Sequence, residues 1–361
     1  MTSTFFPQTT QHTAGPETTD DIAAQTAIVI ETNNLRGGNG GLPAVCTSML
    51  RILALLGQQT MPLTKLAQII ITHDGLSEDM CALMREQSGL PLEFAQIEDT
   101  TGYYRAKNAG FGATDPARCR YVLFADSDCE PDPDWLANIL APFANRPDLG
   151  AVAGRTTYVE NLAGTALTSM DFLYFPSPLR PGATRNFFAN NVVFRRDVFE
   201  EHAYKRVLGV YRANCQILGL DLQAAGVPLH FAYDAHTHHR LPDTRMEAVK
   251  LRWMRGQDTV TLTPHLVRAY LPGWLQWFAH TGPIAPLVVL WCRLFYSLRA
   301  FNRQGLPRLR GFTWLGGLGL VFVFSAVDMA GAIARGFGYS TLGHKNEGDN
   351  FALSYHATNS H

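Results

Sequence analysis

The sequence predicts an α/β fold: an open, mostly parallel twisted sheet flanked by helices, with membrane-associated helices after it. Three observations carry this. Three short apolar runs, Ala27 to Ile30, Gln68 to Ile71 and Tyr121 to Ala125, each end abruptly in polar or small residues. A helical pattern lies between the first two. The C-terminal quarter turns strongly apolar.

The first run has the length and composition of a strand buried on both faces, and Glu31-Thr32-Asn33-Asn34 follows it. Val45, Met49, Ile52, Leu53 and Leu56 then fall on one side of a helix over about 44–58. The second run leads into Thr72-His73-Asp74-Gly75, the third into Asp126-Ser127-Asp128. Alternating strands and helices imply a parallel sheet, whose ligands bind beyond the carboxyl ends of the strands. All three polar endings converge there. Further on, Pro176, Pro178, Pro181 and Gly182 mark a loop. Asn186 to Phe194 reads as a strand entering a helix at Arg196, and Leu218 to Ala225 as a helix stopped by Gly226-Val227-Pro228. There are no internal repeats.

The chain has 361 residues and a net charge of -1, from 30 Lys+Arg against 31 Asp+Glu. That balance argues against a nucleic-acid binder, which would carry a basic excess or stripe. The six cysteines form no CxxC pair, so buried free thiols in a reducing compartment are expected. Residues 1–24 read as a disordered tail rich in Thr, Gln and Pro, with neither the basic nor the apolar region of a secretory signal. The catalytic domain is expected over 25–245 and on the cytoplasmic side.

Residues 246–311 read as an amphipathic, interfacial region. Within it Trp274 to Leu298 is apolar but interrupted by Arg293, with basic residues on both flanks. Those flanks prefer the cytoplasm, which favours an interfacial or re-entrant segment over a span. Phe312 to Ala334 carries one charge, Asp328, and is long enough to cross a bilayer. A transmembrane helix over 312–336 and a tail over 337–361 complete the expectation. Two spans, or two buried helices of a soluble domain, are the alternatives. An aspartate inside a span is costly unless it faces protein or water.

Asp126 and Asp128 stand at i and i+2 after a strand, where both carboxylates can converge on one cation. Oxygen ligands suit Mg²⁺ or Mn²⁺ bridging a diphosphate. Asp132 fits a helix N-cap with Pro133 at the first helical position, so neither it nor Asp134 is assigned to the metal.

The run Phe124 to Leu136 resembles the metal-binding segment of family 2 glycosyltransferases. Tyr104-Arg105-Ala106-Lys107-Asn108-Ala109-Gly110 is similar to that family's A-x-N-x-G segment, and Ile28 to Asn34 and Ile70 to Gly75 to its first two strand ends. The resemblance covers about residues 25 to 240, with the segments in the right order. It implies a GT-A fold, a nucleoside-diphosphate sugar donor (a UDP-sugar being expected) and inversion at the anomeric carbon. By the same resemblance Glu31, Asn33 and Asp74 hold the nucleoside, Lys107 and Asn108 lie near the ribose or diphosphate, and Asp126 and Asp128 hold ribose and metal. Asp234 to Arg240 resembles the family's last strand, with His238 the expected metal-side histidine. Three histidines there are also compatible with a zinc site, although no further Cys or His pattern supports one.

One departure stands out. The family's Glu-Asp pair, whose Asp is the general base, falls here on Asn214-Cys215, neither of which can replace it. Asp171 and Asp221 are the candidates for a relocated base. The expected acceptor is a lipid or lipid-linked molecule at the membrane. Two other classes are weighed against this: a non-catalytic nucleotide-sugar-binding or scaffold protein, motivated by the missing pair, and a haloacid-dehalogenase-type phosphatase, whose Asp-x-Asp has different residues after it.

Overall fold

The structure, a computed structural model, describes residues 17–32, 41–99, 101–172, 180, 182–205, 207, 210–242, 244–303 and 311–340. The chain opens with α1 (Thr19–Ala23) and β1 (Thr26–Glu31), then α2 (Gly41–Leu56), β2 (Gln68–His73), α3 (Glu78–Ser88) and β3 (Leu92–Gln96). Next come α4 (Tyr103–Gly112), β4 (Tyr121–Asp126), β5 (Cys129–Pro131), α5 (Trp135–Asn145), β6 (Ala151–Tyr158) and α6 (Leu162–Asp171). The sheet region closes with β7 (Asn191–Arg195), α7 (Arg196–His202), α8 (Asn214–Ala224) and β8 (Leu229–His239). Three helices follow: α9 (Arg245–Tyr270), α10 (Ile284–Arg303) and α11 (Phe312–Gly336).

The strands form one sheet in the order β3-β2-β1-β4-β7-β6-β8-β5. Its first four strands are parallel, as expected, and β6 and β8 run the same way; only β7 and β5 run against them, so the sheet is mixed but mostly parallel. β1, β2 and β4 are buried along their whole length, which explains their unbroken apolar sequence. One core cluster packs α2, α3 and α5 on one face of the sheet and a second lies on the other, around Phe124, Phe194 and Phe199. Glu31, Thr72 and Asp126 are direct cross-strand partners, so the polar strand ends meet as the sequence implies.

The A-x-N-x-G segment has a packing reason. A Cβ at Gly110 would stand 2.3 Å from Val29 Cγ1 and 2.8 Å from Thr72 Cγ2, so only glycine lets α4 lie this close to β1 and β2. Residues 17–24, expected to belong to a disordered tail, are ordered. Thr18 and Asp21 make a reciprocal capping box on α1, and Ile22 and Ala23 are fully buried.

The C-terminal helices pack on the sheet domain. The apolar segment from Trp274 divides into a 3-10 stretch, Gly273–His280, and the continuous helix α10. Both α10 and α11 are long and apolar enough to cross a membrane. Trp274, Trp277, Trp291, Phe295 and Phe312 stand exposed beside or along them. Asp328 of α11 meets a two-pronged partner: Arg252 of α9 donates from Nε at 2.8 Å and also through Nη2. Arg252 bonds Asp171 as well, and Asp171 pairs with Arg255. The contact is tight because a Cβ on Gly256 would lie 2.0 Å from the Asp328 carbonyl and one on Gly331 2.2 Å from the Trp253 carbonyl. The aspartate's place in an apolar helix is thus explained by protein contact. Asp328→Leu is expected to destabilise by about 3 kcal/mol, because it takes the two-bond partner from a buried guanidinium that keeps only Asp171, and Arg252→Met/Asp328→Leu by less. Thermal unfolding in detergent checks this, equal losses in both variants being the contrary result.

Candidate active site

The site is built at the carboxyl end of β4. Asp126 is almost wholly buried and both its oxygens are engaged: Lys107 Nζ donates to Oδ1 at 2.5 Å and Tyr103 Oη to Oδ2 at 2.7 Å. Lys107 is itself wholly buried and also reaches the Ala125 carbonyl at 3.3 Å. Two turns of α4 thus deliver the cation and the phenol that hold this carboxylate in place.

Asp128 comes next, at the turn into β5. Its backbone carbonyl accepts from Arg240 N at 3.0 Å, which ties the turn to the end of β8. Its Oδ2 lies 3.6 Å from His239 Nε2. His239 Nδ1 donates to the Arg240 carbonyl at 2.8 Å, which fixes the tautomer. In the neutral ring Nε2 then carries the lone pair, and a lone pair facing a carboxylate oxygen leaves a place for a cation, a proton or a metal ion, between them. The pair fits a divalent ion with one oxygen and one nitrogen ligand from the protein. Cys129 lies beside it, but burial drives its thiol well above the usual range, and Asn190 Nδ2 donates to its sulfur at 3.3 Å. It stays a thiol and is a poor ligand for a hard ion.

A cavity opens in front of Asp126. Tyr103, Asp171, Asn190, Arg212, Cys215, His239, Arg255, Asp258 and Arg293 contribute to its wall, so α4, α6, α8, α9 and α10 all reach it. The cavity therefore runs from the sheet edge to the apolar C-terminal helices. Asp258 is buried and accepts backbone N–H bonds from Tyr211 and, at 2.6 Å, from Arg212. Burial outweighs those two bonds and pushes its carboxyl up to about 6.

Residues 50–203 match the family model described as glycosyl transferase family 2. Over that stretch, under half of the 361 residues, the chain is similar to family 2 glycosyltransferases. No curated protein matches it. Among solved structures, the mannosyltransferase PcManGT from Pyrobaculum calidifontis, in complex with GDP-Man and Mn²⁺, aligns at a TM-score of 0.54 and 15% identity. The alignment covers 86% of each chain, and at that identity it shows the fold alone. GalNAc-T7 with UDP, GalNAc and Mn²⁺ aligns at 0.47 and 14%, over 69% of this chain and 52% of its own.

The sequence-derived residues fare unequally. Glu31 lies fully buried at the end of β1 next to Asp126, and Asp74 follows β2 just before Gly75, so both stand at the expected strand ends. Asn33 lies outside the described residues. Lys107 is spent on Asp126 and is not presented toward a ribose or diphosphate from solvent. Asn108 is turned to the backbone of Tyr204, donating to its carbonyl at 2.8 Å and accepting from its N at 3.3 Å, so it braces the wall behind the cavity.

Three assignments change. His239, not His238, faces Asp128: side chains alternate along β8, and a slip of one residue moves a histidine to the other face. Asp126 has both oxygens hydrogen-bonded within the protein, and of the two aspartates it is Asp128 whose carboxylate faces a histidine. Asp132 is not an N-cap; α5 begins at Trp135 behind Asp134, and the Asp132 carboxylate turns to His236 at 2.8 Å.

Of the two base candidates, Asp221 sits on the outer part of α8, paired with Lys205 at 3.3 Å, and does not line the cavity. Asp171 does line it. Burial alone would raise its carboxyl, but Arg255 and Arg252, with a hydrogen bond from Tyr158 at 3.0 Å, hold it below the usual range. A carboxylate so held is a weak proton acceptor. Cys215 and Asn214 are buried at the start of α8, and Cys215 Sγ lies 3.3 Å from Tyr104 Oη. Tyr103, Arg212, Arg255 and Asp258 carry no site reading in the sequence, and Arg293 is read there only as an interruption, because no local motif announces residues that only tertiary packing brings together.

Proposed function

We propose that the domain transfers a sugar from a nucleoside-diphosphate donor to a lipid or lipid-linked acceptor at the membrane surface, with inversion. The observation that carries this is the Asp128–His239 pair beside the locked Asp126, at the mouth of a cavity that reaches the apolar C-terminal helices. Glu31 and Asp74 are assigned to the nucleoside, with a UDP-sugar as the expected donor. Asp128 and His239 are assigned to a divalent cation. A mixed oxygen and nitrogen pair favours Mn²⁺ over Mg²⁺, which prefers oxygen alone. When bound, the ion stabilises the negative charge of the departing diphosphate.

The missing base position is filled from another helix. Asp126 is committed to Lys107 and Tyr103, and Asp171 to two arginines. Asp258 on α9 is held by backbone N–H groups, and its carboxyl titrates near neutrality, as a general base should. We assign it to the proton of the acceptor hydroxyl; the electron pair of that O–H bond forms the bond to the anomeric carbon as the bond to diphosphate breaks. Exposed tryptophans at 274 and 277 fit a membrane interface, with α10 and α11 in or on the bilayer and the catalytic domain in the cytoplasm.

Calorimetry of UDP and GDP on the full chain in detergent, with and without Mn²⁺, tests the donor assignment. Binding of one nucleotide that requires the metal supports it; metal-independent binding of both contradicts it. The second reading, a nucleotide-sugar-binding scaffold, rests on Asn214-Cys215 and takes over if donor binds but neither hydrolysis nor transfer follows.

A further inference from the structure

Strand β8 presents a second set of ligating groups on the side away from Asp128. His236 Nδ1 lies 2.8 Å from Asp132 Oδ2, and His238 Nε2 lies 3.6 Å from Asp132 Oδ1. The other ring nitrogens, His236 Nε2 and His238 Nδ1, converge on one hydroxyl, Thr157 Oγ1, at 2.8 and 3.2 Å.

That shared hydroxyl imposes a count. Thr157 has a single O–H and two lone pairs, so it donates to one ring and accepts from the other, or accepts from both and leaves both nitrogens that face Asp132 bare. If it donates to His236 Nε2, then Nδ1 of that ring carries hydrogen and donates to Asp132, while His238 is protonated on Nδ1 and turns a bare Nε2 toward the carboxylate. If it donates to His238 Nδ1, the bare nitrogen is His236 Nδ1. With both rings neutral, every arrangement leaves at least one lone pair facing a carboxylate oxygen. The cluster is one positive charge short.

We propose that Asp132, His236 and His238 form a binding site for a zinc-class divalent cation, separate from the donor-side pair Asp128 and His239. Two imidazoles and one carboxylate are a borderline-soft set that prefers Zn²⁺, Co²⁺ or Ni²⁺ to Mg²⁺. Bonds of about 2.0–2.1 Å in a tetrahedron require ligand atoms about 3.3–3.4 Å apart, and the two observed separations, 2.8 and 3.6 Å, straddle that value. Thr157 orients both rings from behind, as the outer partner of a metal-bound histidine does. The side chains of Asp132 and His238 are 42% and 30% exposed, which leaves an entry path and a fourth position for water. The ion would clamp the turn after β5 to β8. Asp128 directly precedes β5 and His239 ends β8, so the clamp would fix the spacing of the donor-side pair.

The test uses the full chain in detergent, stripped with chelator and titrated with Zn²⁺ alone by calorimetry, then with Co²⁺ for the visible absorption of a tetrahedral ion. The expected result is one Zn²⁺ equivalent that persists in Asp128→Asn. It weakens at least 100-fold in His238→Ala and in Asp132→Asn, and about 10–100-fold in Thr157→Val. Asp132 is exposed enough for its variant to report binding rather than folding, and circular dichroism confirms that each variant is folded. Zinc lost in Asp128→Asn but kept in His238→Ala would overturn the proposal. So would the absence of any zinc binding, which would mean that a proton on one imidazole supplies the missing charge.

Discussion

Asp128→Asn is expected to lower kcat/KM for transfer by about 10³-fold while leaving the fold intact. Metal stabilisation of a leaving diphosphate is worth several kcal/mol, and each decade of rate corresponds to about 1.4 kcal/mol. The substitution keeps the shape of the side chain and its neighbours Cys129 and Arg240 but removes the charge facing His239. Steady-state kinetics over a range of Mn²⁺ concentrations checks it. The account expects the loss to include a raised Mn²⁺ requirement; an unchanged requirement would remove Asp128 from the metal. His239→Ala is expected to act in the same direction, whereas His238→Ala should not shift the Mn²⁺ requirement to the same extent, because His238 lies toward Asp132.

The second large effect concerns the base. Asp258→Asn is expected to reduce kcat by about 10²–10⁴-fold, the usual worth of a positioned general base, with donor KM little changed. The wild-type rate should also depend on pH in one direction. Asp258 must be ionised to accept a proton, and its carboxyl titrates at about 6 because burial opposes its charge. The rate therefore falls as pH drops through about 6 and levels off above about 7. In Asp258→Asn the residual rate should lose that acidic limb. A variant that keeps the limb, or keeps full activity, would return the role to Asp171 or to an acceptor that needs no base.

These predictions mark the boundary of what the sequence makes legible. β1, β2 and β4 are readable because a strand buried on both faces has to be apolar throughout, and their polar ends then locate the site. Gly110 and Lys107 are readable as a pattern, but their reasons are not: one is a close approach of α4 to the sheet, the other a buried ion pair. The second half of the sheet is harder. β6 and β8 pair in parallel through a register shift at Gly154/Arg155, and the choice between His238 and His239 depends on strand phase, which a run of adjacent histidines does not display. Asp132 illustrates competition between local and tertiary chemistry: the residues around it spell an N-cap, yet His236 and His238 take its carboxylate. Asp258 lies furthest from view. It stands in a helix outside the expected catalytic region, and only the packing of α9 against the loop before α8 brings it to the cavity.

The central claim is transfer from a nucleotide sugar at a membrane face. The most direct measurement is release of nucleoside diphosphate from a panel of UDP- and GDP-sugars by the full chain in detergent with Mn²⁺, with and without added membrane lipid extract. The account predicts release from one class of donor, dependent on Mn²⁺, stimulated by the lipid extract and abolished in Asp128→Asn. Donor binding with no release under any of these conditions would contradict it and would leave a nucleotide-sugar-binding domain without turnover.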